Sequence, residues 1–217
     1  MPLKIIITGA TGFVGEGVLL ECLAHLQVEQ VLIVSRKPYS LSHPKMRQCI
    51  VSDFMNLGDA KEQLTGYDAC FYCVGISSTE LDEKTYTHIT YDTTIYFADI
   101  LSELNPDMVF NFVSGRNTDS SERGRVMWAR IKGKTENALK EFPFRKQYNF
   151  RPGFMRPTRG QKNVKTFYKI IGSVWPLLFP KQSCLMKEVG LAMINAVIKG
   201  YPKQTLEVID IKQLAKT

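Results

Sequence analysis

The sequence of 217 residues has no apolar run that approaches the roughly 18 residues a membrane-spanning helix requires. Its first apolar run, "LKIIIT", passes directly into a glycine-rich segment and is too short for the core of a secretory signal peptide. Hydrophobic residues make up 44% of the chain and charged residues 23%, as in ordinary globular proteins. We therefore expect a cytoplasmic protein that folds as a single domain over residues 1–217.

Cysteine and histidine are both scarce and lack the spacing of a disulfide framework or a metal site. The five cysteines are an odd number, and the three histidines are scattered. Cys70 and Cys73 form a C-x-x-C, but they lie in an apolar run typical of a buried strand. Residues three apart in a strand point to opposite faces, so this pair cannot grip one metal ion. The pattern predicts core cysteines and no metal.

Acidic residues are missing between Phe142 and Lys187, a stretch that holds ten lysines and arginines. The formal net charge of the whole chain is +7, so the remainder of the chain is net negative. The basic charge thus belongs to one region and points to a small, anionic substrate there. No recognisable nucleic-acid-binding motif accompanies it, so nucleic acid is not an expected partner.

Strand-like and helix-like segments alternate along the chain, and the strand-like ones are continuous apolar runs. This pattern predicts an α/β fold with a Rossmann-type, doubly wound, mostly parallel sheet that has helices on both faces. Residues 152–205 are expected to form a small C-terminal cap on the substrate side. The predicted strands are 3–8, 30–35, 46–53, 69–75, 107–115 and 147–153, and the predicted helices are 12–26, 59–66, 82–104, 123–142 and 184–200.

The segment "TGATGFVG" lies between the first strand and the first helix and places Gly9, Gly12 and Gly15 at a spacing of three. In a dinucleotide-binding fold these glycines allow a tight turn, a close approach of the pyrophosphate and close packing of helix on strand. The alternative is a glycine-rich turn that binds nothing. The residues predicted to contact the cofactor here are Gly9, Thr11, Gly12, Phe13, Val14 and Gly15.

The end of the second strand decides which dinucleotide is favoured. An acidic residue there would bind the ribose hydroxyls of NAD, but the sequence reads "VSRKP", with Arg36 and Lys37. A guanidinium pairs well with a phosphate, so NADP(H) is favoured over NAD(H). The alternative is a solvated surface pair in a protein that binds NAD(H).

These motifs together resemble the short-chain dehydrogenase/reductase superfamily, in particular its atypical and extended, NAD-dependent-epimerase-like branch. The resemblance covers nearly the whole chain and rests on "TGATGFVG", "VSDF", "YCVGIS", "NFVSG", "WARIKGKTE" and "FRPGFMRP". It implies a catalytic serine at Ser114 and a lysine, Lys132, that binds the nicotinamide ribose. The other cofactor-binding residues that it implies are Asp53 and Phe54, Val74 and Gly75, and Pro152 and Gly153.

The resemblance fails at the residue that performs proton transfer. The superfamily has a tyrosine four residues before the lysine, whereas this chain has Trp128, whose indole does not titrate usefully. The family's structural asparagine is also replaced, near Thr90. Three interpretations stay open: Tyr86, Tyr91 or a water on Ser114 supplies the proton, the reaction needs no strong acid, or there is no turnover.

The segment 164–179, "VKTFYKIIGSVWPLLF", combines aromatic and aliphatic residues with lysines at its start. It is interpreted as a lid over the substrate pocket, with membrane-surface contact or an oligomer interface as alternatives. We expect an NADP(H)-dependent oxidoreductase or epimerase-like enzyme that acts on a small-molecule substrate. The alternative is a catalytically silent NADP(H)-binding regulator.

Overall fold

The computed structural model describes residues 2–164 and 182–217. Within them, seven strands form one parallel sheet in the order β3-β2-β1-β4-β5-β6-β9, and β7 and β8 form a separate parallel pair. The strands are β1 (Leu3–Thr8), β2 (Val28–Ser35), β3 (Met46–Ile50), β4 (Ala69–Tyr72), β5 (Val109–Val113), β6 (Lys146–Arg151), β7 (Phe154–Arg156), β8 (Ser183–Leu185) and β9 (Thr205–Glu207).

Helices cover both faces of this sheet. They are α1 (Phe13–Ala24), α2 (Glu83–Thr87), α3 (Thr93–Leu104), α4 (Met127–Leu139), α5 (Met186–Ile198) and α6 (Val208–Leu214), with a 3₁₀ helix at Gly58–Leu64. Side chains alternate along β1: Ile5 and Ile7 enter the core with α1, α5 and α6, and Ile6 enters the core with α3. The predicted doubly wound α/β fold is therefore confirmed. Cys70 and Cys73 fall in different cores, so they do point to opposite faces.

The chain reverses its direction of travel across the sheet at β1. It first builds β2 and β3 on one side of β1, and then β4, β5, β6 and β9 on the other. Ligands of such sheets bind in the crevice beyond the carboxyl ends of the strands at this reversal point. The phosphate loop between β1 and α1 and the loops after β2, β4 and β5 therefore meet at one edge.

The predicted helix 82–104 is interrupted by a wider, π-helical turn at His88–Asp92. Here Thr93 Oγ1 donates a hydrogen bond to the carbonyl of His88 at 2.9 Å, and Thr94 Oγ1 donates to that of Thr90 at 2.6 Å. Threonine hydroxyls that bond back to preceding carbonyls compete with the regular helical ladder and bend helices. The interruption therefore follows from the local sequence "HITYDTT".

Helix α5 packs on the sheet together with α1. A Cβ on Gly190 would lie 2.7 Å from Cβ of Glu21, so the two helices approach closely at this glycine. The seventh strand of the main sheet, β9, was not predicted. Helix α5 lies within 152–205, and β9 begins at the last residue of this range. The predicted cap therefore includes part of the main sheet and of the helical layer that covers it. A substrate-side role for this segment stays a prediction.

Residues 165–179 of the predicted lid lie outside the described residues, so the lid and membrane-surface interpretations stay predictions. Across the part of the chain that the structure describes, no helix is both long and apolar enough to pass through a membrane. The same residues contain no group of three or more histidine, cysteine, aspartate or glutamate side chains that could hold a metal ion.

Candidate functional site

The phosphate loop has the backbone geometry that its glycines predict. Gly9 has a φ of +71°, and a Cβ on it would lie 2.6 Å from the carbonyl oxygen of Cys73. A Cβ on Gly15 would lie 2.2 Å from the carbonyl oxygen of Gly9, because the first turn of α1 packs directly on the loop. The amide of Gly12 donates to the carbonyl of Gly9 at 2.9 Å. A side chain at Gly9 or Gly15 would block this arrangement.

The remaining residues of the loop line its open side. Thr11 and Gly12 are exposed, and Phe13 and Val14 are half-buried at the start of α1. The N-terminus of a helix of this length offers backbone N–H groups and a favourable dipole to an anion. The loop therefore fits the pyrophosphate of a dinucleotide, which the backbone can approach closely at Gly12.

The loop after β2 presents its two cations to solvent beside the phosphate loop. Ser35 Oγ donates to the carbonyl of Lys37 at 2.7 Å and so closes the turn that carries Arg36. Arg36 and Lys37 are both exposed. Thr11 of the phosphate loop and Tyr39 of this loop line the same cavity, so the two loops are neighbours.

The residues predicted to surround the adenosine are only partly presented to a ligand. Asp53 is exposed, but its Oδ1 accepts the amide hydrogen of Met55 at 2.9 Å within its own turn. Phe54 is buried, with its ring centroid 5.6 Å from that of Phe97. Val74 is half-buried and Gly75 is exposed at the end of β4. Their roles in binding stay predictions.

Ser114 and Lys132 meet at the carboxyl end of β5, but through the serine backbone. Lys132 Nζ donates to the carbonyl oxygen of Ser114 at 2.6 Å. The hydroxyl of Ser114 is buried and donates to Glu136 Oε1 at 2.5 Å. The hydroxyl hydrogen of Ser114 is therefore already bonded to Glu136 and is not directed at a substrate oxygen.

Glu136 is the centre of a buried ionic network that the sequence analysis did not identify. The guanidinium of Arg151 binds both of its carboxylate oxygens, with Nε donating to Oε1 at 2.9 Å and Nη2 donating to Oε2. Arg151 also donates to Ser120 Oγ at 2.6 Å and to Glu207 Oε1 at 3.3 Å. A fully buried carboxylate requires such a partner, and Glu136 raises the pKa of Arg151.

Lys132 is half-buried, and removal of its ammonium from water lowers its pKa to about 8. The nearby carboxylate of Glu136 opposes this shift but is outweighed by it. Lys132 therefore lies at the end of β5, where the resemblance placed it, and remains mainly protonated at neutral pH.

Trp128 lies over the end of β5, one helical turn before Lys132. Its Cζ3 atom lies 3.8 Å from the point that a Cβ of Gly115 would occupy. Tyr86 is buried, and burial raises its pKa, which makes it a poor acid near neutral pH. Tyr91 is half-buried, with the ammonium of Lys134 at 4.2 Å from its ring centroid.

The segment after β6 lies beside the loop after β5. Pro152 is buried, and its carbonyl accepts the amide hydrogen of Arg116 at 3.3 Å. A Cβ on Gly153 would lie 2.0 Å from the carbonyl oxygen of Gln182, which requires a glycine there. The exposed Arg116 donates to Gln182 Oε1 at 2.7 Å. Sequence reasoning missed this arginine, which directly follows "VSG".

Comparison with protein families agrees with this geometry. A model of the NAD dependent epimerase/dehydratase family matches residues 5–136, which include the phosphate loop and the helix of Lys132. The chain belongs to this family. A curated relative, Protein HTATIP2 of Rattus norvegicus, is 25% identical over 180 residues, which cover 79% of this chain and 73% of that protein.

Solved structures of similar fold include an epimerase and a dehydrogenase. The ADP-L-glycero-D-manno-heptose-6-epimerase of Helicobacter pylori has a TM-score of 0.71 at 15% identity, over 99% of this chain and 81% of that one. The glucuronic acid dehydrogenase of Chromohalobacter salexigens has a TM-score of 0.68 at 14% identity, over 95% and 76%. WbmF of Bordetella bronchiseptica, in complex with NAD⁺ and UDP, has a TM-score of 0.63 at 16% identity, over 97% and 75%. At these identities the likeness shows the fold alone.

Proposed function

We propose that this protein binds NADP(H) at the carboxyl edge of its sheet and exchanges hydride with a small, anionic substrate, as an oxidoreductase or epimerase-like enzyme. The observation that carries the proposal is the loop Gly9–Gly15, packed too closely for side chains, beside the exposed Arg36 and Lys37. The dehydrogenases and epimerases of similar fold include structures with bound NAD and UDP.

Each part of the cofactor has a candidate partner in the chain. The phosphate loop would hold the pyrophosphate, Arg36 and Lys37 the 2′-phosphate, and Lys132 the nicotinamide ribose. When bound, the nicotinamide supplies or accepts a hydride. The exposed guanidinium of Arg116, at the end of β5, is available near this region to an anionic group of the substrate.

A second candidate function is a catalytically silent NADP(H)-binding regulator. It is favoured by two observations at the end of β5. Trp128 stands where the family has its tyrosine, and the hydroxyl of Ser114 donates its hydrogen bond to Glu136. Of the family's serine, tyrosine and lysine, this leaves Lys132, whose ammonium is bonded to the backbone carbonyl of Ser114 in the free protein.

The cofactor preference is tested by replacing Arg36 with alanine. A charged hydrogen-bonded pair contributes on the order of 1.5–3 kcal/mol, so Arg36→Ala should weaken NADP(H) binding by that amount and leave NAD(H) binding nearly unchanged. Calorimetric titration of both cofactors measures this. Arg145→Ala, an exposed arginine just before β6 at the opposite edge of the sheet, is the matched control. Equal affinity of the wild-type protein for NAD(H) and NADP(H) would refute the preference.

Turnover separates the two candidate functions. Consumption of NADPH is followed with a panel of carbonyl and quinone acceptors, for the wild-type protein and for Trp128→Tyr. Because general acid catalysis is worth roughly 10²–10⁴-fold, we expect Trp128→Tyr to increase reduction of simple ketones. If the wild-type protein already reduces them with a rate that depends on a group titrating near neutral pH, an acid other than residue 128 is present. If cofactor binds but neither protein turns over any acceptor, the regulator is favoured.

A further inference from the structure

The carboxylate of Glu16, in the first turn of α1, connects two separate parts of the cofactor-binding edge. It is 1% exposed. Its Oε1 accepts the hydroxyl hydrogen of Tyr39 at 3.0 Å, and the amide of Lys162 lies 3.0 Å from both of its oxygens. Its Oε2 also accepts the amide hydrogen of Asn163 at 2.6 Å. The proposed cofactor contacts do not use Glu16, so this buried acid has another task.

The first part that it connects is the loop after β2. Tyr39 lies two residues after Lys37, and its backbone is fixed on β3: its amide donates to Gln48 Oε1 at 2.8 Å, and Gln48 Nε2 donates to its carbonyl at 3.0 Å. Its side chain then reaches Glu16. The position of the loop that carries Arg36 is therefore set from two sides, by β3 and by α1.

The second part is the segment 158–163, which we term the strap. Gln161 Nε2 donates to the carbonyl of Phe13 at 2.8 Å, and its Oε1 accepts the amide hydrogen of Thr158 at 2.8 Å. Thr158 Oγ1 also donates to Glu21 Oε1 at 3.0 Å. The strap therefore runs along α1 from Glu21 to the helix N-terminus, where the phosphate loop ends.

A cavity of about 230 Å³ separates the loop after β2 from the strap. Glu16 and Thr11 line it, together with Tyr39 and Ser40 on one side and Gly160 on the other. The carboxylate of Glu16 therefore connects the loop to the strap through hydrogen bonds, with open space beside it. Burial and Glu16 raise the pKa of Tyr39 to about 12, so its hydroxyl remains a donor across the physiological range.

Hydrogen bonds to a buried carboxylate are strong, and an unpaired buried acceptor is costly. A shift of Tyr39 therefore changes how firmly Glu16 holds the two strap amides. We propose that Glu16 is a positioning residue that couples the loop of Arg36 and Lys37 to the strap, so that a phosphate bound by that loop tightens the strap. The proposal rests on the proposed NADP(H) binding for the phosphate, but the link between loop and strap does not depend on it.

The test measures amide hydrogen exchange at Lys162 and Asn163 by NMR, in the free protein and with saturating NADP⁺ or NAD⁺. In the free protein, Tyr39→Phe should accelerate exchange at these amides by about five- to tenfold, since one bond to the shared carboxylate is lost. In the wild-type protein, NADP⁺ should slow this exchange more than NAD⁺, and Tyr39→Phe should abolish that difference. Tyr201→Phe removes a hydroxyl that donates to the buried Asp210 at 3.0 Å and is the matched control.

The outcomes separate this proposal from the proposed function. Unchanged exchange at Lys162 and Asn163 in free Tyr39→Phe would overturn the link, whatever the cofactor preference. Equal protection by the two cofactors, with NADP⁺ bound more tightly, would overturn the coupling to the phosphate. Failure of NADP⁺ to bind more tightly than NAD⁺ would refute the proposed preference and, with it, the role of the phosphate, and the free-protein comparison would still decide the link. Glu16→Gln, checked for folding by circular dichroism, should accelerate exchange at the amides of Lys162 and Asn163, as Tyr39→Phe does.

Discussion

Lys132 is the residue that we propose binds the nicotinamide ribose, although the tyrosine that accompanies this lysine in the family is replaced by Trp128. In the free protein its ammonium is bound by a backbone carbonyl at the end of β5, and its pKa is lowered from an ordinary 10.5 to about 8 because the group is withdrawn from water. A tyrosine at position 128 would make this cation a means of lowering the pKa of a phenol. With Trp128 there, the role that we propose for the lysine is that of a hydrogen-bond donor to a ribose.

We predict that Lys132→Met weakens NADP(H) binding by on the order of 1.5–3 kcal/mol, the loss of a charge-assisted hydrogen bond. Lys134→Met is the control, since Lys134 lies on the same helix but is exposed and stacks on Tyr91. Calorimetric titration of both variants gives the comparison. If Lys132→Met binds the cofactor normally, the alignment of this helix with the family's catalytic helix is wrong.

The same substitution has a consequence for stability that depends on pH. Because the folded-state pKa of Lys132 lies below its ordinary value, the unfolded chain binds more protons between pH about 8 and 10.5. Its contribution to the free energy of unfolding therefore rises with pH across this window. Urea unfolding of the wild-type protein and Lys132→Met at several pH values should show a steeper rise, or a shallower fall, in the wild-type protein. Parallel curves would contradict the lowered pKa.

At the scale of elements, α4 shows what a sequence pattern can and cannot predict. Trp128, Lys132 and Glu136 are spaced four apart, so they lie along one side of the helix, and Lys132 was predicted to face the site. The role of Glu136 could not be read from spacing, because its partner, Arg151, belongs to β6. That pairing depends on β5 and β6 being neighbours and on where the arginine side chain turns.

The orientation of the Ser114 hydroxyl could not be predicted from the sequence, because it also depends on a distant partner. Its position after the fifth strand was predicted, but whether it faces a substrate or Glu136 depends on a contact between residues 22 apart. The strand β9 was missed because its three residues, "TLE", are too short to show an alternating or continuous apolar pattern. The backbone of the phosphate loop could be predicted, since local geometry requires glycine at Gly9 and Gly15. The contacts of this loop with a cofactor stay predictions.

At the scale of the whole molecule, the alternation of strands and helices was enough to predict a parallel, doubly wound sheet, because a parallel connection requires a crossover. What the alternation could not predict was where the C-terminal part of the chain packs. The structure places Leu206 of β9 and Ile211 of α6 in the same apolar core as Ile5 and Ile7 of β1. Residues about two hundred positions apart thus share one core, which favours a single cooperative domain.

Two isoleucines of α6 differ in whether they enter this shared core. Ile211 is fully buried, whereas Ile209 is 72% exposed. Ile211→Ala should lower the free energy of unfolding by about 2–5 kcal/mol, because it leaves a cavity in the core. Ile209→Ala should change it by less than about 0.5 kcal/mol. Urea unfolding followed by circular dichroism and by tryptophan fluorescence measures both variants.

Cooperativity decides how that loss should appear. If the chain is one domain, Ile211→Ala shifts the two unfolding curves together and leaves their slopes unchanged, because the same surface is exposed in a single transition. If the C-terminal elements formed a separate unit, Ile211→Ala would produce an early partial transition in circular dichroism and leave the main one at its wild-type midpoint. The predicted single domain over residues 1–217 would then have to be abandoned, because the burial of Leu206 beside Ile5 would not couple the two ends of the chain energetically.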